Sequence, residues 1–152
     1  MKMTQLLSPI PARVIRAGQR GLRGSVPHFG RFESALERDL MELLRFGNDV
    51  RDFFPQPLSI PYVDANGMSR KYTPDGLIYF RRELEHPPVL FEVKYREDFR
   101  NSWRELRPKF RAARQLCWEE GWKFRIFTEF HIRTPYLANA KFLNVYKDDA
   151  PP

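Results

Sequence analysis

The spacing of apolar residues changes three times along the chain, and this restricts the available folds more than any other feature. Between Phe32 and Phe46 apolar residues recur every three or four positions, which is typical of one helix face. Gly47 and Asn48 predict the end of that helix. Short β-like runs follow at Leu58 to Val63, Arg70 to Thr73, Gly76 to Phe80, Val89 to Tyr95 and Lys123 to Thr128. We expect each of these runs to form a strand.

A second helical pattern lies between the last two predicted strands. Its apolar stripe consists of Trp103, Leu106, Phe110, Ala113 and Cys117. Gly121 ends it, Pro108 indicates a kink or a new start, and all three tryptophans are expected to pack with it. Asp64, Asn66 and Gly67 predict a hairpin between the first two strands. The order favours an α/β fold whose mixed central sheet is flanked by helices, with the long helix crossing between the last two strands.

Composition is typical of one packed domain rather than of a disordered chain. The 152 residues are 42% apolar and 14% aromatic, which is sufficient for a single core. Cys117 is the only cysteine, so an internal disulfide and a zinc site of several thiolates are excluded. No stretch approaches the ~20 apolar residues that span a bilayer. We therefore expect a cytoplasmic protein.

Positive charge is concentrated in two places. The chain carries +7 overall, and residues 1–31 form a basic arm without any acidic residue. Glycines and prolines in this arm predict irregular backbone, either lying along DNA phosphates or solvated. A second basic face follows the predicted long helix, where Pro108 could break its alignment; a phosphate track and a solvated face both remain open. The candidate DNA-binding residues are Arg13, Arg16, Arg20, Arg23, Arg31, Arg100, Arg104, Arg107 and Arg111.

Two neighbouring strands carry the residues with catalytic chemistry. Asp75 begins one predicted strand, and Glu92 and Lys94 lie within another. Side chains alternate along a strand, so Glu92 and Lys94 share one face. The other face consists of Val89, Phe91, Val93 and Tyr95. Because Asp75 leads into the antiparallel partner of that strand, the three polar groups are expected to meet at one end of the sheet.

Two carboxylates beside an amine are suited to phosphodiester hydrolysis. Mg²⁺ prefers hard oxygen ligands and stabilises the charge that builds on phosphate, and Mn²⁺ can substitute for it. We assign Asp75, Glu92 and the carbonyl of Val93 to one or two metal ions, Lys94 to the attacking water, and Glu37 to an outer ligand position. The alternative is that Glu92 and Lys94 form a surface ion pair, because E-x-K is a short motif.

The chain resembles the TnsA-type transposon endonucleases of the PD-(D/E)xK nuclease superfamily. The similarity is carried by the leader Arg20 to Gly30, the helix around Glu37, the connection Val50 to Pro57, and the motifs that contain Asp75 and Lys94. It implies a restriction-endonuclease-like core, with catalytic positions at Glu37, Asp75 and Lys94 and a further acidic ligand at Glu92. The nuclease domain is expected at residues 32–135, between the basic arm and a short C-terminal tail at residues 136–152.

The resemblance also implies partners and a reaction. TnsA-type subunits cleave the 5′, non-transferred strand at transposon ends, alongside a TnsB-like transposase and a TnsC-like ATPase regulator. Longer members carry a C-terminal winged-helix-like domain, whereas only Glu129 to Pro152 follows the last predicted strand here. Two alternatives stay open: a freestanding nuclease of repair, resolvase or phage-defence type, and a DNA-bound adaptor without turnover.

Overall fold

The order of helices and strands follows the sequence pattern along most of the chain. The computed structural model describes residues 24–26, 30–32 and 34–134, and for the first two ranges it describes the backbone only. The predicted tail and most of the basic arm lie outside these ranges. The elements are β1 (Gly24–Val26), β2 (Gly30–Phe32), α1 (Ala35–Gly47), β3 (Val50–Pro55), β4 (Ile60–Val63), β5 (Ser69–Tyr72), β6 (Gly76–Phe80), β7 (Val89–Val93), α2 (Arg96–Asn101), α3 (Trp103–Glu120), β8 (Lys123–Phe127) and α4 (Glu129–Ile132).

A four-stranded sheet in the order β3, β6, β7, β8 forms the centre of the fold. β3 and β7 pair antiparallel with β6, whereas β8 pairs parallel with β7. Parallel neighbours need a crossover connection, and α2 and α3 supply it. The predicted α/β fold with a mixed, restriction-endonuclease-like central sheet is therefore confirmed.

Helices cover both faces of this sheet. On one face α3 packs against Leu77 and Leu90, and on the other α1 packs against Ile78 and Phe91. Alternate residues of β7 therefore point to opposite faces, as predicted. All five of them are buried, however, so the alternation separates two covered faces rather than core from solvent.

The first helix begins three residues later than the periodicity predicted. Ser34 is its N-cap, and the Ser34 hydroxyl accepts a hydrogen bond of 3.1 Å from the amide of Glu37. Phe32, the predicted start, ends β2 instead. The helix ends at Gly47, and Asn48 follows in the left-handed region with φ of 57°, as the sequence indicated.

Several elements were not predicted because they are short or lack alternation. β1 and β2 pair antiparallel, so the prediction of irregular backbone throughout the basic arm was wrong. β3 was interpreted as a connection, because Pro55 and Pro57 suggested a loop; it pairs at the sheet edge, where a proline costs little. The predicted hairpin is confirmed as β4 and β5, which form a separate two-stranded sheet packed on α3.

The long helix α3 buries its predicted stripe except for Trp103. Phe110 and Cys117 are almost fully buried, and the helix continues through Pro108. Trp122 is buried as expected, but Trp103 is 41% exposed and Trp118 is 79% exposed. Packing was therefore the wrong expectation for Trp118, which lies on the solvent side of the stripe. Within the described residues, no helix combines the length and apolar character needed to cross a membrane.

Candidate active site and nucleic-acid surface

Backbone pairing between β6 and β7 fixes the position of Asp75. The amide of Asp75 donates a hydrogen bond of 3.1 Å to the carbonyl of Phe91. One carboxylate oxygen, Oδ2, accepts a hydrogen bond of 2.7 Å from the amide of Val93. This carboxylate therefore sits across the end of β7, between the positions of Glu92 and Lys94, and is only 7% exposed.

Gly76 permits this close approach of the two strands. A Cβ atom at this position would lie 2.5 Å from Cζ of Phe91 and 3.2 Å from Cζ of Phe53, both nearer than carbon atoms normally approach. Phe91 is 2% exposed and packs against Phe53 and Phe127, so its ring has little room to move. The residue after Asp75 must therefore be very small for Asp75 to reach β7.

Glu92 is a buried carboxylate held by one strong hydrogen bond. The hydroxyl of Tyr72 donates to Oε2 of Glu92 at 2.6 Å, and the ring of Tyr72 packs edge-on against Phe110 of α3. Burial raises the pKa of Glu92 well above its usual value, and the nearby negative charges of Asp75 and Glu37 raise it further; the bond from Tyr72 and the charge of Lys94 act in the opposite direction. Negative charge is therefore crowded in this part of the molecule.

Lys94 follows β7 directly and its backbone continues the pairing with β8. Its amide donates a hydrogen bond of 3.0 Å to the carbonyl of Phe127, which fixes the direction in which the side chain leaves the strand. Its ammonium makes no hydrogen bond or close ion pair with any residue in the described part of the chain. A half-buried amine in this state is available to a bound water or phosphate.

All four predicted catalytic side chains line one cleft of about 330 Å³: Glu37, Asp75, Glu92 and Lys94. Glu37 comes from the first turn of α1, and its carboxylate lies 3.5 Å from the Ser34 hydroxyl. The cleft is also lined by Ser34 and Asp98, which the sequence analysis did not select. The surface ion pair considered for Glu92 and Lys94 does not describe this arrangement, because Glu92 is buried and bonded to Tyr72.

The donors in this cleft fit a hard divalent cation. Asp75 and Glu92 are carboxylates close enough for the charge of one to raise the pKa of the other, and a cation between them would relieve that repulsion. Among residues 34–134, no three His, Cys, Asp or Glu side chains already form a metal-binding group. A cation here would therefore draw part of its shell from backbone carbonyl, water or phosphate oxygens, as magnesium commonly does.

The predicted DNA-binding arginines divide into three groups. Arg13, Arg16, Arg20 and Arg23 lie outside the described residues, and only the backbone of Arg31 is described, in β2. Arg104, Arg107 and Arg111 are exposed on α3, opposite its buried stripe. Arg100 is also exposed, but it belongs to α2, which ends at Asn101. The predicted single line of guanidinium groups was therefore wrong at Arg100, because the chain bends between the two helices.

A second basic surface lies where α3 meets the β4–β5 hairpin. A depression of about 510 Å³ is lined by Arg70, Arg104 and Lys109, together with the acidic residues Asp64 and Glu105. Arg70 is paired with Asp64 at 3.0 Å, and the ammonium of Lys109 lies 6.0 Å from the ring centre of Tyr72. Tyr72 is the residue that holds Glu92, so positive charge on α3 continues to within one side chain of the cleft.

The chain was compared with known proteins. A family model described as TnsA-like endonuclease N terminal matches residues 47–129, which is more than half of the chain. The matched range contains Asp75, Glu92 and Lys94 and begins after Glu37. No curated protein matches the chain.

Proposed function

We propose, from the premise that this chain belongs to the family of TnsA-like endonucleases, that it hydrolyses phosphodiester bonds in one strand of DNA at the cleft between α1 and β7. The observation that carries the proposal is the convergence of Asp75, Glu92 and Lys94 from two paired strands on that cleft. Structural ion pairs are normally exposed or fully neutralised. Here one carboxylate is buried next to another, which stability alone gives no reason to keep.

Each residue has a distinct role in this proposal. Asp75 and Glu92, with the carbonyl of Val93, hold Mg²⁺ or Mn²⁺, as one ion or two. Tyr72 orients Glu92 by its hydrogen bond, and the amide of Val93 orients Asp75 in the same way. Lys94 positions the attacking water and lowers the cost of removing its proton, and Glu37 supports the site from α1. When bound, the metal stabilises the charge that develops on the phosphate and on the leaving oxygen.

DNA is proposed to approach across α3. Arg104, Arg107 and Arg111 are exposed and make no ion pairs among the described residues, so their guanidinium groups are available to phosphates. Contacts of this kind carry no base sequence information. Sequence choice therefore falls to other parts of the assembly, which agrees with a subunit that cuts where a partner directs it.

The biological reaction is proposed by family resemblance. The protein cleaves the 5′, non-transferred strand at transposon ends, while a TnsB-like transposase cuts and joins the other strand and a TnsC-like ATPase regulates both. The family membership supports this setting, and the cleft supplies the hydrolytic chemistry that the reaction needs.

Plasmid nicking tests the proposal. Supercoiled plasmid carrying transposon ends is incubated with Mg²⁺ or Mn²⁺, with and without the transposase, and nicked product is measured. We expect nicking that Asp75→Ala and Lys94→Ala abolish. Lys123→Ala is the matched control, because Lys123 is exposed at the end of β8 that lies farther from the cleft.

Two outcomes would redirect the proposal. Silence of the wild-type protein in every mixture would favour a DNA-bound adaptor over an enzyme. Nicking without the transposase, and without preference for transposon ends, would favour a freestanding nuclease.

A further inference from the structure

An open groove lies on the other side of α2 from the carboxylate cleft. We call it the aromatic groove; it measures about 660 Å³ and its side chains include Arg96, Phe99, Arg100, Trp103, Phe130 and His131. Trp103 is 41% exposed and Phe130 is 67% exposed, so two large rings face solvent. No carboxylate is among the described residues that line it. The groove therefore combines aromatic surface with positive charge.

One wall of the aromatic groove is stacked on the core, and the other is held by contacts between α2 and α4. The ring of Phe99 stacks on the buried ring of Phe110, with centroids 6.0 Å apart and planes 13° apart, and Trp103 packs on Phe99 at 5.2 Å. Opposite them, the guanidinium of Arg96 lies 4.6 Å from the ring centre of Phe130. The amide of Arg96 also donates a 2.9 Å hydrogen bond to the carboxylate of Glu129, which ties α2 to α4.

The aromatic groove and the cleft flank α2 on its two sides. Tyr95 and Asp98 line the cleft, whereas Arg96 and Phe99, each one residue further along, line the groove. Lys94 precedes Arg96 by two residues. Two residues of chain span at most ~7 Å, so a DNA strand whose phosphate lies at Lys94 is close to the first residue of the groove.

Exposed rings beside guanidinium groups are the chemistry that binds unpaired nucleotides. A base stacks on an aromatic face whatever its identity, and arginines hold the phosphates on either side. A base inside a duplex cannot reach such a surface, because its faces are covered by its neighbours; it must first leave the stack. Positive charge without a lining carboxylate favours this occupant over a protein segment of mixed charge.

We propose that the aromatic groove binds an unstacked nucleotide of the DNA strand next to the scissile phosphate, with Trp103 and Phe130 as stacking surfaces and Arg96 and Arg100 as phosphate contacts. The position next to the scissile phosphate rests on the proposed nuclease function, but binding of the nucleotide requires no hydrolysis. It gives the protein a preference for DNA whose strands are parted at the cut site.

The test measures DNA binding by fluorescence anisotropy with the full chain carrying Lys94→Ala, so that nothing is cut. The probes are an oligodeoxythymidylate, a blunt duplex, and the same duplex with an unpaired flank. Trp103→Ala in this background is expected to weaken binding of the single strand and the flanked duplex about tenfold, and to leave the blunt duplex unchanged. Phe130→Ala is expected to act in the same direction, and Trp103→Phe is expected to restore binding.

Trp118→Ala is the matched control, because Trp118 is an exposed tryptophan on the same helix and lies away from the groove. Unchanged single-strand binding in both Trp103→Ala and Phe130→Ala would overturn the proposal, as would equal losses in Trp103→Ala and Trp118→Ala. Equal loss on blunt duplex and single strand would also overturn it, since it would indicate phosphate contact without stacking. If the wild-type protein fails to nick plasmid while the groove variants behave as expected, the nuclease proposal fails and the groove stands.

Discussion

The carboxylate cleft and the aromatic groove lie on opposite sides of α2, and they are built in opposite ways. The cleft has buried acidic groups that backbone amides and Tyr72 hold in place. The groove has two exposed rings, Trp103 and Phe130, and Phe99 beneath Trp103 stacks on the buried Phe110. Chemistry that works through charge needs burial and fixed geometry, whereas recognition of a flexible strand needs open surface. The difference agrees with the two proposals, which place cutting in the cleft and strand capture in the groove.

The substitution Lys94→Ala is expected to have the largest effect, because it should separate cleavage from DNA binding. If Lys94 positions the attacking water, the cleavage rate should fall by about 1000-fold, in the range for loss of a catalytic proton-transfer group. DNA affinity should stay close to that of the wild type, because the groove and the α3 arginines are untouched. Nicking rates and anisotropy on the same DNA measure both quantities. A large loss of affinity with unchanged cleavage at saturating protein would assign Lys94 to binding.

Gly76→Ala sharpens the comparison by disturbing the frame of the cleft alone. The added methyl group would meet the ring of Phe91, and overpacking of this kind costs about 1–3 kcal/mol of unfolding free energy. Urea unfolding measures the loss. Gly47→Ala is the control, since its Cβ would meet only a carboxylate oxygen of Asp49 at 3.6 Å and its φ is ordinary. Equal effects of the two changes would contradict the close approach of β6 and β7.

The raised pKa of Glu92 predicts a smaller, pH-dependent effect on stability. Its pKa in the folded protein lies well above the usual glutamate value of 4.5, so the folded protein holds a proton that the unfolded chain has released. The metal-free protein should therefore lose stability as pH rises from about 4.5 through the folded pKa. Glu92→Gln should remove this loss, and its melting temperature should exceed that of the wild type at neutral pH.

Bound metal should reverse the order of the melting temperatures of the wild type and Glu92→Gln. Added Mg²⁺ should raise the melting temperature of the wild type at neutral pH and leave Glu92→Gln nearly unchanged, because binding to the folded protein alone stabilises it. If the melting temperatures of the two metal-free proteins changed with pH in the same way, the pKa of Glu92 would not be raised in the folded protein.

Cys117 gives the smallest effect and tests the core rather than either site. Burial raises the pKa of its thiol to about 12, so a thiol reagent should not react with the folded protein at neutral pH. Full reaction is expected only in denaturant. Rapid labelling of the native protein would show that α3 is packed more loosely than described.

The sequence predicted the cleft better than the groove for a physical reason. Asp75, Glu92 and Lys94 lie on or next to paired strands, where alternation and pairing determine which side chains meet. Glu37 could be placed on the first predicted helix, but its N-cap Ser34 was not recognised, because the apolar period begins at Phe32. Tyr72 reaches Glu92 from a hairpin 20 residues earlier, and no local pattern encodes that contact.

The groove was missed because it joins elements that are distant in sequence. Arg96 meets Phe130 across more than thirty residues, through α2 and α4, two short helices that were not predicted. Trp103 fits the period of the buried stripe on α3, so its exposure could not be inferred from spacing. Trp103 packs on Phe99 of α2 and stays 41% exposed.

Anomalous diffraction from crystals grown with Mn²⁺ tests the central claim most directly. The account predicts a peak in the cleft, about 2.1 Å from carboxylate oxygens of Asp75 and Glu92, that is absent in Asp75→Ala crystals. Strong Mn²⁺ peaks held only by other residues, with both carboxylates still bonded as in the metal-free protein, would contradict it.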